Sequence, residues 1–150
     1  MNPKARYACV IQILRTAKAL WLASRRFFRP FGITEAQFNV LHILGNHPEG
    51  MSQRELSRLL VVDSSNVTFL IDRMQKRAWL QRMEVPHDRR AYRVCLTEAG
   101  RRFWERIHPS YRHAVQALPL RISVADMEAT QRTLERIESR AAQWRSRETG

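Results

Sequence analysis

Residues 52–100 constrain the fold of this chain most, because two short helix patterns there are followed directly by two strand patterns. Ser52-Gln53-Arg54-Glu55 has the form of a capping box, in which the serine oxygen accepts a backbone N–H and the glutamate reaches back to the serine N–H. After a short turn, Asp63 or Ser64 can cap a second helix that runs to about Arg77. The segment therefore predicts two helices joined by a turn.

The second of these helices has one apolar side and one polar side. Spacing at i, i+3, i+4 and i+7 is typical of a buried stripe, and these positions hold Val67, Leu70, Ile71 and Met74. The other side carries Ser65, Thr68, Phe69, Asp72 and Arg73. In the first helix the apolar positions are Leu56, Leu59 and Leu60. A short polar helix held by one apolar face is typical of a helix-turn-helix that reads DNA, although a helical hairpin within an ordinary core has the same pattern.

Two strand-like segments follow, Leu80–Val85 and Ala91–Leu96. In the second segment the alternating residues are Val94 and Leu96 against Arg93 and Cys95. The connection Pro86-His87-Asp88-Arg89-Arg90 combines a turn signal with two adjacent guanidinium groups. A hairpin this short has no core of its own and must lean on the helices. Arginines at its tip suit phosphates or a narrow minor groove, with a solvated cluster of charges as the alternative.

These segments resemble the winged helix-turn-helix of the MarR family of bacterial transcriptional regulators. The resemblance rests on the runs SQRELSRLL, DSSNVTFLIDRMQKR and HDRRAYRVCLTEAG. It implies a mainly α fold with a small β-hairpin wing, in a single domain that covers residues 1–150. Residues 34–100 would form the winged helix-turn-helix core that binds DNA, and residues 1–33 and 101–150 the dimerisation helices.

The resemblance also implies a function. It describes a homodimer that binds double-stranded DNA at a palindromic operator, with a repressor favoured over an activator. The helix from Ser64 to Arg73 would enter the major groove, Arg89 or Arg90 would reach the minor groove, and Asp88 would brace the wing. The expected DNA contacts are Ser64, Ser65, Asn66, Thr68, Phe69, Arg73, Arg89 and Arg90.

Two residues depart from the pattern of the family. Ala78 stands where many relatives have glycine, so we expect the preceding helix to end without the residue that most easily adopts a left-handed conformation. Phe69 stands where arginine is frequent. Either Phe69 packs against a thymine methyl group or a neighbouring side chain, or a phosphate contact is lost there. The base preference is therefore left open, whereas the docking mode is not.

Helices are predicted on both sides of this core. The first runs from Lys4 to about Arg29, where Pro30 and Gly32 end it. Capping residues then open three more helices, which begin at Thr34-Glu35-Ala36-Gln37, at Thr97 and at Ser123-Val124-Ala125-Asp126. The helix after Thr97 is expected to continue through Pro109 with a kink and to end near Leu118. Because the first and last helices carry large apolar stripes outside the core, we expect two chains to pair through them.

The charge of the chain favours a polyanionic partner. Its formal net charge is +12 and its pI is near 11.2. RNA-binding and membrane-surface proteins share this property. Membrane insertion is not expected, because Gln12, Arg15 and Lys18 interrupt the first helix before about 20 apolar residues accumulate. No signal peptide is visible, so a cytoplasmic location is expected.

An enzyme is not expected. The sequence has no glycine-rich phosphate loop, no HExxH run and no nucleophile elbow, and its acidic residues lie mostly in capping or solvent-facing positions. The alternative to a DNA-binding regulator is a winged-helix module that binds another protein. Such a module has less need for arginines at the wing tip.

An effector site is implied by the resemblance, since the family often binds small aromatic or phenolic acids between the dimer helices and the winged core. The residues that could line such a site, with Arg25 or His108 meeting a carboxylate, are Trp21, Arg25, Phe38, His42, Trp104 and His108. Aromatic residues that simply fill the core are the alternative. The histidine pairs 42/47 and 108/113 are five residues apart and do not align on one helix face, so neither a metal nor another cofactor is expected.

The two cysteines resemble neither a disulfide framework nor a metal cluster, and free thiols are expected. Some relatives sense peroxides through a cysteine in the first helix, and Cys9 lies in a comparable segment. The tyrosines of those sensors are absent, because Phe38 and Asn39 stand there. A regulator that senses redox conditions through Cys9 is therefore one interpretation. The other is that Cys9 is a small buried apolar residue. Cys95 is expected to be a passive strand residue.

Overall fold

The computed structural model describes residues 2–61, 66–85 and 88–144, with the backbone alone for residues 88–91 and 144. This part of the chain is mainly α-helical and contains one antiparallel hairpin, as the sequence predicts. A 3-10 turn at Arg29–Phe31 follows the first helix. The elements are α1 Pro3–Phe28, α2 Glu35–Gly45, α3 Gln53–Leu59, α4 Val67–Lys76, β1 Leu80–Val85, β2 Asp88–Leu96, α5 Glu98–Ala117 and α6 Val124–Trp144.

Short-range capping contacts fix where most helices begin. Both predicted capping boxes are confirmed, with Thr34 and Gln37 exchanging bonds before α2 and Ser52 and Glu55 doing the same before α3. Thr97 Oγ1 accepts the N–H of Gly100 at 3.0 Å at the start of α5. These contacts satisfy N–H groups that have no partner within the helix. The capping signals in the sequence therefore placed these three starts correctly.

The start of α4 differs from the prediction. Asn66, rather than Asp63 or Ser64, is the capping residue, and its Oδ1 accepts the N–H of Phe69 at 3.1 Å. Asparagine, aspartate and serine cap helices about equally well, so a run of them leaves the position of the cap undetermined. Asp63, Ser64 and Ser65 lie outside the described residues. The helix that was expected to extend from Ser64 begins at Val67 instead.

Helix α4 ends near Arg77 and without glycine, as predicted. Ala78 adopts the left-handed conformation with φ of 54° although it carries a Cβ atom. Its N–H bonds the carbonyl of Gln75 at 2.8 Å, and the N–H of Trp79 bonds the carbonyl of Met74 at 3.0 Å. These two bonds form a Schellman motif, which satisfies the last carbonyl groups of the helix. The helix therefore closes as it would with glycine, but with a strained alanine.

The hairpin is longer than predicted on its second strand. β2 begins at Asp88, so the turn that was expected to include Arg89 and Arg90 has part of its length in the strand. Regular pairing runs from Leu80 opposite Leu96 to Glu84 opposite Tyr92, and the register shifts beyond Glu84. A β-bulge or irregularity of this kind re-aims the side chains at the end of a hairpin.

The base of β2 is covered along one edge and on the face that carries Cys95. Along the edge, Met51 forms an isolated bridge with Val94 through two backbone hydrogen bonds of 3.1 and 2.8 Å. On the face that carries Cys95, a Cβ atom at Gly50 would lie 2.2 Å from Cys95 Sγ. Cys95 is therefore only 4% exposed. Val94 and Cys95 lie on opposite faces of β2, in line with the predicted alternation, and both are buried.

Two groups of buried side chains form the core of the first unit. One joins α2, α3, α4 and the hairpin and includes Leu44, Leu56, Ile71 and Val94. The other is aromatic and includes Phe28, Phe38 and Ile107. Leu59, which was predicted to face inward with Leu56, is 50% exposed because α3 ends at that residue. Helix α2 contributes to both groups and so supports α4 from behind.

The chain divides into two compact units, Met1–Tyr111 and Arg112–Gly150. The boundary falls within α5, which contains Pro109 and ends at Ala117, close to its predicted end at Leu118. In the second unit, α6 begins where Ser123 Oγ accepts the N–H of Asp126 at 3.1 Å, as predicted. Leu134 of α6 is exposed. No helix in the described ranges has the length and apolar character that a membrane span requires.

Candidate nucleic-acid interface

Helix α4 is held by one face and leaves the other to solvent. Val67, Ile71 and Met74 are buried, and Leu70 is half-buried, which confirms the predicted stripe. Facing away from this stripe are the exposed side chains of Thr68, Phe69, Arg73 and Lys76. The helix is anchored firmly enough by its apolar side to present a fixed set of polar and cationic groups.

An open cleft of about 490 Å³ lies between α3 and the beginning of α4. Its floor includes Gln53 and Thr68, whose side chains bond each other through Gln53 Nε2 and Thr68 Oγ1 at 2.6 Å. Arg54 and Arg58 of α3 line the same cleft and are exposed. Sequence reasoning missed both arginines, although their spacing of four residues indicates that they share one helix face.

Asn66 and Thr68, two of the expected base contacts, are already engaged in bonds within the chain. The side-chain oxygen of Asn66, Oδ1, caps α4, and its side-chain nitrogen, Nδ2, makes no hydrogen bond within the described ranges. The hydroxyl oxygen of Thr68 accepts from Gln53. The remaining predicted contacts on this side, Ser64 and Ser65, lie outside the described residues.

Phe69 and Arg73 lie one turn apart on the exposed face of α4. The guanidinium carbon of Arg73 is 5.5 Å from the centroid of the Phe69 ring. This geometry is a cation–π contact, in which the ring face attracts the positive charge. Of the alternatives expected for Phe69, the structure shows packing against a neighbouring side chain, which is Arg73.

Arg82 on β1 ties the hairpin to α4. Its guanidinium donates to Asp72 Oδ1 at 2.8 Å and to Gln75 Oε1, and it lies 5.2 Å from the ring centroid of Tyr92. Asp72 is therefore paired within the chain rather than free for DNA. The sequence carried no signal for this contact, because it depends on how the strand folds back on the helix.

The wing carries Asp88 and the two arginines that were expected to contact DNA. The backbone of Asp88, Arg89 and Arg90 belongs to β2, but their side chains lie outside the described residues, as do Pro86 and His87. The proposed brace by Asp88 and the proposed contacts of Arg89 and Arg90 stay predictions.

Arg93, at the base of the hairpin, has a structural environment instead. It donates to the carbonyl of Glu49 at 3.0 Å and to the carbonyl of Gly50. Nearby, hydrogen bonds from Ser52 lower the pKa of Glu55, and the charges of Arg93 and Arg58 lower it further to a lesser extent. These contacts hold the turn before α3 against β2.

A second group of residues expected at an effector site also comes together. His108 lies 5.0 Å from both His42 and Trp104 between ring centroids, and Phe38 stacks on His42 at 5.9 Å. Burial lowers the pKa of His42, and the charge of His108 lowers it further. His42 Nδ1 and Trp104 Nε1 are buried and make no hydrogen bond to any described residue.

Two other expected effector residues do not join this cluster. Trp21 and Arg25 are both exposed on α1, and Trp21 makes no ring contact with the cluster in the described part of the chain. Gly45 permits the cluster to form, because a Cβ atom there would lie 2.5 Å from the Trp104 ring. The cluster therefore combines α2 and α5 alone.

The two cysteines differ in access. Cys9 is exposed on α1, and Cys95 is buried, with burial raising the pKa of its thiol. The expectation that Cys9 is a small buried residue does not hold within this chain. Among the residues that the structure describes, no three His, Cys, Asp or Glu side chains come close enough to hold a metal ion.

A model of the MarR family matches residues 31–91, which include α2, α3, α4 and most of the hairpin. Over these residues the chain is similar to the MarR family. Among curated relatives, the HTH-type transcriptional regulator YkoM of Bacillus subtilis is 33% identical over 95 residues, which cover 63% of this chain and 61% of YkoM. The transcriptional repressor MprA of Escherichia coli is 29% identical over 113 residues, covering 75% of this chain and 64% of MprA. The chain thus spans a little under two thirds of these relatives.

Solved structures share the MarR fold over nearly the whole chain. AbsC of Streptomyces coelicolor superimposes with a TM-score of 0.81 at 19% identity, covering 95% of this chain and 97% of AbsC. MepR of S. aureus, solved in complex with DNA, superimposes with a TM-score of 0.75 at 19% identity, covering 89% of this chain and 96% of MepR. CouR of Rhodococcus jostii, solved with p-coumaroyl-CoA, superimposes with a TM-score of 0.74 at 24% identity, covering 84% of this chain and 88% of CouR. The predicted fold is confirmed.

Proposed function

We propose that this chain is a DNA-binding transcriptional regulator of the MarR family that acts as a homodimer on a palindromic operator. The exposed face of α4 carries this proposal, because its hydroxyl, aromatic and cationic groups are presented by a helix whose other face is buried. The net charge of +12 favours a polyanionic partner. The names of the relatives reported above describe regulators of transcription and no enzyme, and the name of MprA favours a repressor.

The proposed contacts divide into base readers and phosphate contacts. Thr68, Phe69 and Arg73 face the major groove, together with the predicted contacts Ser64, Ser65 and Asn66. Arg54 and Arg58, at the cleft beside α4, are placed to neutralise phosphates. Arg89 and Arg90 reach the flanking minor groove or backbone. MepR, which has the same fold, is solved in complex with DNA, and this supports DNA as the partner.

Dimerisation is proposed through residues 1–33 and 101–150, with residues 34–100 binding DNA. Helix α1 exposes a series of large apolar side chains, and Tyr7 among them is 72% exposed; the others are Val10, Leu14, Leu20, Trp21 and Leu22. A second copy of the chain would remove this apolar surface from water. Two reading helices about 34 Å apart would then meet successive major grooves on one side of the DNA. We place this regulator in the cytoplasm, where bacterial operators lie.

The salt dependence of DNA binding tests the proposal. Fluorescence anisotropy with a labelled duplex would measure affinity from low to physiological salt, and we expect a steep linear fall of log K against log salt concentration. The variant Arg89→Ala/Arg90→Ala removes up to four phosphate contacts from a dimer and should reduce the slope by roughly 3 to 4.

The matched control is Arg101→Ala/Arg102→Ala, which removes two adjacent arginines from α5 and lowers the net charge equally. We expect this control to keep most of the native slope. Equal slopes for the two double variants would remove the wing from the mechanism. An absence of binding to any duplex at low salt would instead favour the protein-binding module.

A small aromatic effector is a second proposal, favoured by the two unpartnered polar atoms of the His42–Trp104–His108 cluster. A buried donor at Trp104 Nε1 and a buried ring nitrogen at His42 Nδ1 cost free energy unless a ligand or water satisfies them. A planar phenol or aromatic carboxylate offers both bonding and stacking groups. CouR, which has this fold, is solved with p-coumaroyl-CoA.

Quenching of tryptophan fluorescence by a panel of benzoates and hydroxycinnamates tests the effector proposal. The variant Trp21→Phe should keep the titration signal, because Trp21 lies outside the cluster. The variant His42→Phe keeps an aromatic ring but has no ring nitrogen, so it should weaken binding about fivefold to tenfold through loss of one buried hydrogen bond. Unchanged affinity in His42→Phe would contradict the assignment of the site.

A further inference from the structure

The exposed phenylalanine of α4 is unusual within this chain. All six phenylalanines lie in the described ranges, and five of them are buried or half-buried. Phe69 alone is exposed, at 56%, in the middle of the face that we propose to meet DNA. Its ring contributes nothing to either group of core residues. Its apolar surface is therefore available to a partner.

Arg73 is held in place by this ring. Its guanidinium carbon lies 5.5 Å from the ring centroid, and within the described ranges its side chain makes no hydrogen bond or ion pair. An arginine stacked on an aromatic face keeps the N–H groups at its edge available as donors. The neighbouring polar side chains are already engaged, since Thr68 bonds Gln53 and Asp72 bonds Arg82.

The chemistry of the pair defines what it can recognise in a major groove. The thymine methyl group is the apolar group on that edge of the base pairs, and guanine offers O6 and N7 to an arginine as two adjacent acceptors. Residues four apart on a helix are separated by about 6 Å along its axis, which corresponds to about two base-pair rises. Both features can therefore be reached at neighbouring positions of one half-site.

We propose that Phe69 and Arg73 act as one reading unit that selects a thymine methyl group within about two base pairs of a guanine. This inference rests on the proposed DNA binding of α4. Phe69 packs against the methyl group, and its ring at the same time positions Arg73 on guanine.

Base-analogue scanning tests the thymine contact without altering the protein. In an operator obtained by site selection, each thymine is replaced in turn by deoxyuridine, which lacks only the methyl group. We expect affinity to fall about fourfold at one thymine of each half-site, the effect of one buried methyl group. Phe69→Ala should bind the thymine and uracil operators equally. The control Leu59→Ala removes an exposed apolar side chain from α3 and should keep the native sensitivity.

The guanine contact is tested in the same way with 7-deazaguanine, which lacks the N7 acceptor. We expect roughly a tenfold loss at a guanine within two base pairs of the sensitive thymine, and no loss for Arg73→Ala. The inference is overturned if no thymine is sensitive, or if Phe69→Ala keeps the sensitivity. DNA binding without methyl sensitivity overturns this inference alone, whereas failure to bind any duplex overturns the proposed function as well.

Discussion

Replacing Ala78 with glycine should stabilise the protein, although the change removes a methyl group. Ala78 has φ of 54° at the end of α4, where a residue with a Cβ atom is strained by roughly 1–2 kcal/mol. Its side chain is exposed, so little packing is lost. Glycine gives the unfolded chain extra freedom, which offsets about 0.4–1 kcal/mol of the gain. The net stabilisation should be about 0.5–1 kcal/mol.

Urea unfolding followed by circular dichroism measures this change at a fixed protein concentration. The midpoint should rise with the m-value unchanged, and the melting temperature should rise by about 2–3 °C. The control Ala17→Gly makes the same chemical change in the interior of α1 and should destabilise by about 0.5–1 kcal/mol. A loss of stability in Ala78→Gly would refute the left-handed closure of α4.

Three further predictions concern other positions. Gly100→Ala should lower the free energy of unfolding by about 1–3 kcal/mol, because its Cβ atom would lie 2.1 Å from the backbone oxygen of Trp79. Urea titration measures this change, and a neutral effect would contradict the contact. The pKa of His42 is lowered on folding, so the unfolded chain binds more protons below pH 6.5. The stability of the native chain relative to His42→Asn should therefore fall as the pH drops through 6.5, and parallel pH curves would refute this. A thiol reagent should modify Cys9 but not Cys95, so Cys9→Ser should abolish rapid modification; a second fast thiol would contradict the burial of Cys95.

Local patterns in the sequence predicted most of the element boundaries. The capping boxes at Thr34 and Ser52 involve residues three apart, and such contacts form whenever the helix forms. The stripe of α4 was predictable for the same reason, because helical periodicity alone decides which side chains share a face. The start of α4 was not predictable, because several consecutive residues before Val67 are equally good helix caps.

Contacts between distant segments were beyond the reach of the sequence. The Asp72–Arg82 pair exists because β1 folds back along α4, and the burial of Cys95 exists because the turn at Gly50 covers that face of β2. Neither follows from periodicity or from local propensity. The cation–π contact of Phe69 and Arg73 was within reach, because both residues belong to one face of one helix.

The absent side chain at Gly45 restricts how this sequence can change. Because the Trp104 indole occupies the space where a Cβ atom would stand, alanine at position 45 forces the Trp104 ring out of its present place. The stacking of Trp104 on His108 would change with it. A designer who wishes to alter the histidine cluster therefore has to treat positions 45 and 104 together.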